Sequence, residues 1–167
     1  NKDYLFRGLA LYNSLLKNCQ NFKLWILCMD DITYDVLKKM NLEKTVLISL
    51  KEFEDEELLA VKKTRNAKEY FWSLSPSLPS YILNNNPDII SISYLDSDLF
   101  FFSDPRPIYD EFKDGSVLIM EHRLPEGKKE KETAVGKYNV GMVIFRNDKD
   151  GRECLEWWRQ RCNEWCY

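Results

Sequence analysis

The chain has 167 residues, 44% hydrophobic and 14% aromatic, enough for one domain with a sizeable core. Charged residues make up 31%, which argues against long disorder, and a net charge of −3 gives no basic footprint for nucleic acid. No apolar run approaches the roughly 20 residues that a membrane-spanning helix needs, so no membrane segment is expected.

The chain opens at Asn1, close to a helical pattern, and closes at Tyr167 inside another. Residues 1–167 are therefore expected to be a single domain truncated at both ends. Tyr4 to Lys17 places Leu5, Leu9, Tyr12, Leu15 and Leu16 at helical spacing. Lys23 to Met29 is a short apolar run and predicts a buried strand. Asp30-Asp31-Ile32-Thr33 predicts the cap of a second helix, running to about Met40. Thr45 to Leu50 predicts the next strand, and Phe53 to Lys63 a charged helix that ends near the basic cluster Lys62-Lys63-Thr64-Arg65. In Ala67 to Asn84, Pro76 and Pro79 are expected to start or kink a helix. Asn84 to Asp88 predicts a turn.

Further on, Ile108 to Phe112 predicts a short helix and Ser116 to Met120 a strand. Pro125 to Thr133 is the most polar stretch and is expected to be an exposed, mobile loop. Tyr138 to Phe145 predicts another buried strand. Asp148 to Tyr167 predicts a last helix whose apolar face is Leu155, Trp158, Cys162 and Trp165. Alternation of helices and strands predicts an α/β fold with an open, mostly parallel sheet and helices on both faces.

The five cysteines are odd in number and contain no Cys-x-x-Cys, which suggests neither a disulfide framework nor a zinc knuckle. Cys154, Cys162 and Cys166 offer a soft-metal alternative on the last helix. Buried, reduced cysteines are the reading preferred, and with no signal peptide visible they imply a cytoplasmic protein.

The stretch Ile89 to Phe102 carries the chemistry. It begins as the β-branched and aromatic run of a buried strand and then places Asp96 and Asp98 where the strand should end. Two carboxylates are costly in a core unless paired. Residues i and i+2 of an extended chain share a face, so both can reach one cation. A hard ion such as Mg²⁺ or Mn²⁺ takes such oxygen ligands and keeps positions for substrate phosphates. Asp-x-Asp alone is weak evidence, and Asp148-Lys149-Asp150 supplies a control. That pair lies in a turn before a helix and reads as an N-cap. Asp96 and Asp98 differ because large apolar residues flank them on both sides.

Tyr94-Leu95-Asp96-Ser97-Asp98-Leu99-Phe100-Phe101, followed by Asp104-Pro105, resembles the DxD segment of GT-A glycosyltransferases, above all the family eight group and its nucleotide-diphospho-sugar transferase relatives. Tyr138-Asn139-Val140-Gly141 resembles that group's Asn-x-Gly strand, and Asp3 to Leu11 the segment after its first strand. The resemblance runs along essentially the whole chain and implies a GT-A-like (Rossmann-like) sheet.

It further implies retaining transfer of a sugar from a nucleotide diphosphate-sugar donor to a carbohydrate or other hydroxyl acceptor. Asp96 and Asp98 would hold Mn²⁺ or Mg²⁺ against the donor diphosphate, with Asp96 also touching the ribose. A dication there neutralises charge on the anionic leaving group. Asn139 and Gly141 would lie beside the transferring sugar, and Asn1, Asp3 and Tyr4 beside the base. The family's first strand would precede Asn1, and its later Asp-Gln loop would follow Tyr167. The family's third metal ligand, a histidine near the C-terminus, has no match, because His122 stands on a different strand. Arg65 is a candidate substitute for an arginine that some relatives place before the DxD, near Ser75-Pro76-Ser77 here.

His122 reads as a paired structural histidine or as a polar contact on the acceptor side, and Trp157, Trp158 and Trp165 as a sugar platform or, for Trp158 and Trp165, as core with Trp157 semi-exposed. Two rival functions are a non-catalytic GT-A-like binding module and a haloacid-dehalogenase-like phosphatase with Asp96 as nucleophile. The second normally has Thr or Val two residues after the second Asp, where Phe100 stands.

Overall fold

After a 3₁₀ turn (Lys2–Tyr4), helix and strand alternate as the sequence predicts: α1 (Leu5–Asn18), β1 (Leu24–Cys28), α2 (Asp31–Met40) and β2 (Thr45–Ser49). The structure, a computed structural model, describes residues 1–165; Cys166 and Tyr167 lie outside it, and with them the Cys166 end of the soft-metal alternative. β1 and β2 run parallel, from Leu24 beside Thr45 to Cys28 beside Ser49, with α2 as the crossover. Asp30 caps α2 by accepting from the Thr33 N–H at 2.7 Å. Asn41 closes the helix in the left-handed conformation that Asn tolerates, at φ 47°.

The single helix expected over residues 53–63 is two, α3 (Leu50–Phe53) and α4 (Glu56–Lys62). Ser49 accepts from the Glu52 N–H and Asp55 from the Leu58 N–H, so the backbone is capped and restarted within one short segment. α5 (Ala67–Asn85) starts in a capping box of Asn66 and Glu69 and then runs unbroken through Pro76 and Pro79. Each proline removes one backbone bond from the helix interior. Packing outweighs that loss: both prolines are buried, and Tyr70, Leu74, Ile82 and Leu83 lie in the main core.

The second half comprises β3 (Ser91–Leu95), α6 (Arg106–Phe112), β4 (Val117–Glu121), α7 (Glu132–Val135), β5 (Tyr138–Arg146) and α8 (Lys149–Glu164). β5 lies between β3 and β4 and is antiparallel to both. The protein is thus mixed α/β, but its strands form a two-stranded parallel and a three-stranded antiparallel sheet. One open, mostly parallel sheet is not what forms. A continuous apolar run reports burial, not direction, and here Glu121 pairs with Tyr138, so residues 122–137 return the chain beside its own strand. Among the described residues of 125–133 the side chains are exposed as expected, yet the connection contains a 3₁₀ helix (Glu126–Lys131) and α7 rather than an irregular loop.

β5 is buried on both faces from Gly141 to Phe145. Val143 and Phe145 join Ile92, Leu83 and Leu155 in the core shared with α5 and α8. Met142 and Ile144 point the other way, against Phe112 and Ile108 of α6. Helices therefore cover both faces of this sheet. In α8, Leu155 is buried and Trp158 stacks on Phe145 at 5.9 Å. Trp165, expected in the core, is 73% exposed because the helix ends at Glu164 and Trp165 turns into extended backbone; Trp157 is also exposed. Among the described residues no helix is long and apolar enough to cross a membrane.

Candidate functional site

β3 ends at Leu95, opposite Met142 of β5. The ladder gains one further bond: the Asp96 N–H donates to the Gly141 carbonyl at 2.8 Å. Asp96 thus stands across from Gly141, and Asn139, two residues earlier on β5, shares that strand's face. Asn139 Oδ1 accepts from the Gly141 N–H at 2.6 Å. A Cβ on Gly141 would sit 2.7 Å from Asn139 Oδ1 and 3.6 Å from Asp96 Oδ2. The missing side chain leaves a small cradle beside the Asp96 carboxylate, and the Asn139 amide oxygen occupies it. Two motifs more than forty residues apart in sequence converge there.

Tyr94 fixes the carboxylate from the other side. Its hydroxyl donates to Asp96 Oδ1 at 2.8 Å and lies 3.0 Å from Ser75 Oγ of α5. The Tyr94 ring meets Trp158 edge-on at 6.1 Å. Burial, reinforced by the Asp96 and Asp98 carboxylates, pushes the Tyr94 hydroxyl well above its ordinary pKa. It therefore remains a donor throughout the neutral range.

Asp98 departs from the face-sharing argument. The Leu99 N–H donates to the Asp96 carbonyl at 3.1 Å, and residues 97 and 98 form a turn rather than extended chain. Asp98 is exposed on that turn, and its Oδ2 lies 3.6 Å from Arg7 Nη1 of α1. Of the large apolar residues that follow, Leu99 and Phe101 pack beneath the sheet. Phe100 and Phe102 instead face solvent, their rings 4.8 Å apart, with Phe102 88% exposed. α1 clamps this segment: Ser14 Oγ accepts from the Phe101 N–H at 3.0 Å, and Asn18 donates to the Phe101 carbonyl at 2.7 Å.

The N-terminal residues approach the same edge. Asn1 Oδ1 caps the first turn by accepting from the N–H groups of Asp3 and Tyr4. The Lys2 N–H donates to Asp30 Oδ2 at 2.8 Å, just beyond the carboxyl end of β1. Tyr4 is exposed, with the Arg7 guanidinium 4.8 Å from its ring centroid. Tyr4, Arg7 and Asp98 thus form one connected line.

Other candidates lie elsewhere. Arg65 donates to Ser73 Oγ and to the carbonyls of Cys162 and Asn163, the latter two at 2.5 and 2.6 Å. It ties the start of α5 to the end of α8 and does not substitute for a donor-site arginine. His122 Nδ1 lies 2.9 Å from the Gly136 carbonyl. A cavity of about 400 Å³ between α4, α5 and α8 is lined by Asp55, Glu156 and Arg159, whose charges pair with one another. Of the cysteines, Cys28 is buried, whereas Cys19 is half-buried and Cys154 exposed. Among the described residues no group of three or more His, Cys, Asp or Glu side chains is placed to hold a metal ion. An ion at Asp96 and Asp98 would draw its remaining ligands from water or substrate.

Sequence reasoning missed Arg7, Tyr94 and Ser75 as parts of this edge. A readable signal existed for Arg7, because two clustered carboxylates call for a nearby cation and the helix that resembles the family's first segment carries one.

Over 171 aligned residues the chain is 38% identical to the uncharacterized protein YfnF of Bacillus subtilis (strain 168), covering 99% of the chain and 56% of that protein. It is 33% identical over 165 residues to the uncharacterized protein YfnD of the same organism, covering 99% of the chain and 53% of that protein. The chain spans about half the length of the curated relatives it matches. No family model matches it. Neither relative's name states an activity, so a functional reading rests on the site.

Proposed function

We propose that this chain forms the donor-binding part of a metal-dependent glycosyltransferase with a GT-A-like fold, which moves a sugar from a nucleotide diphosphate-sugar to a hydroxyl acceptor. The observation that carries the reading is the convergence of Asp96 with Gly141 and Asn139 at the carboxyl end of β3.

The residues fit a hard dication. Asp96 Oδ2 borders the Gly141 cradle, Asp96 Oδ1 is steadied by Tyr94, and Asp98 presents an exposed carboxylate one turn on. Mn²⁺ or Mg²⁺ held there would offset the negative charge that collects on the diphosphate as the glycosidic bond breaks. Asn139, exposed at the start of β5, offers an amide to sugar hydroxyls, and Gly141 lets that amide fold back beside Asp96. Asn1, Asp3 and Tyr4 are assigned to the base, and Asp96 additionally to the ribose. Cys19, Cys28 and Cys154 are free thiols, which suits a cytoplasmic protein.

Calorimetric titration of UDP and GDP, with and without Mn²⁺, tests the reading on this chain and on Asp98→Ala. Metal-dependent binding that the variant loses supports it. No binding by the unaltered chain in any condition overturns it. Release of free sugar from a nucleotide-sugar in the presence of Mn²⁺ separates an enzyme from a binding module.

A further inference from the structure

We infer that Arg7 is a switching counter-ion, pairing with Asp98 in the absence of a dication and passing to the donor diphosphate when metal and nucleotide bind. This rests on the donor-site reading above. Three observations carry it. Arg7 Nη1 lies 3.6 Å from Asp98 Oδ2, so a dication on that carboxylate would compete for an oxygen the guanidinium already faces. Arg7, Ser14 and Asn18 recur at spacings of seven and four residues, which places them on one face of α1. Ser14 and Asn18 bond the backbone of Phe101, so this face is fixed against the segment that carries the pair. Lastly, the Arg7 side chain is 58% exposed and rests by the Tyr4 ring, leaving room for its planar fork to turn toward an incoming anion.

The charges dictate the sequence of partners. A dication bound by Asp96 and Asp98 repels a guanidinium a few ångströms away. Once a diphosphate joins the metal, the local charge turns negative, and its oxygens suit the paired N–H groups of arginine. Arg7 therefore opposes binding of the metal alone and favours binding of metal with nucleotide. A residue serving only to hold the fold would move both in one direction.

The test uses the whole chain as unaltered protein, Arg7→Ala, Arg7→Gln and Asp98→Ala. Mn²⁺ binding is read from the loss of the free-ion electron paramagnetic resonance signal, and UDP and GDP binding in saturating Mn²⁺ by calorimetry. Removing the guanidinium is expected to tighten Mn²⁺ alone about threefold at moderate salt. It is expected to weaken the nucleotide about tenfold. Arg7→Gln, which keeps much of the side chain's reach, is expected to follow Arg7→Ala. Changes in the same direction, or no change in either, while Asp98→Ala still abolishes binding, overturn the role of Arg7 and leave the donor site standing. Failure of the unaltered chain to bind Mn²⁺ or nucleotide overturns both.

Discussion

The Tyr94 hydroxyl and Asp96 Oδ1, two residues apart at the end of β3, are joined at 2.8 Å. Because Tyr94 donates to the carboxylate, Ser75 Oγ at 3.0 Å is left to donate to Tyr94. α5 therefore reaches Asp96 through two hydroxyls.

Replacing Tyr94 by Phe keeps the ring beside Trp158 but removes both bonds. The variant is expected to be less stable by about 1–2 kcal/mol, the usual cost of losing a buried bond to a charged acceptor. Urea unfolding measures this. The same protein is expected to bind Mn²⁺ less tightly, since Asp96 loses the group that aims it.

Gly141→Ala places a methyl 2.7 Å from Asn139 Oδ1. The amide is the mobile partner, so it swings away and gives up its bond from the Gly141 N–H. The expected loss of stability is about 1 kcal/mol. Nucleotide binding in Mn²⁺ is expected to fall as well, because the displaced Asn139 amide leaves its place beside Asp96. A titration that matches the unaltered protein would show that the cradle is not used.

Arg65→Met separates stability from the site. Its bonds to the carbonyls of Cys162 and Asn163 hold the end of α8. Their loss is expected to cost about 2 kcal/mol in denaturant unfolding. Mn²⁺ binding is expected to stay unchanged.

Burial pushes the Cys28 thiol from an ordinary value of 9.0 up to about 11. The unfolded thiol then ionises before the folded one, so the folded state holds more protons across that window. Stability is expected to fall as pH rises from about 9 to about 11. Cys28→Ala flattens that part of the profile. At pH 8 a disulfide reagent is expected to label exposed Cys154 and to reach Cys28 only after unfolding.

Much of the fold was legible because local chemistry wrote it. Asp30 announced α2, the apolar runs announced β1, β2, β3 and β5, and Asp148 capped α8 as the control pair suggested. What tertiary context decides was not legible. Pro76 and Pro79 read as a helix start or kink, and the packing around α5 carries the helix through both. The direction of β4 and β5 depends on which strand each meets. At the site, Asp96, Asn139 and Gly141 could be named, but their meeting across the β3–β5 ladder is a matter of register. Asp98 was named for the wrong geometric reason, since a turn, not a strand face, presents it.

The central place of β5 sets how the site moves. At Ile144 and Phe145 the strand pairs with both neighbours and is buried on both faces, so amides there exchange hydrogen with solvent only when the domain opens as a whole. The turn at Ser97 and Asp98 faces solvent and is tied to α1 by an exposed ion pair, so it opens locally. The doubly paired end of β5 is a slow floor and Asp98 a fast rim. A ligand held at Asp98 would register in hydrogen exchange as protection gained at the rim, with the floor already protected before it arrived.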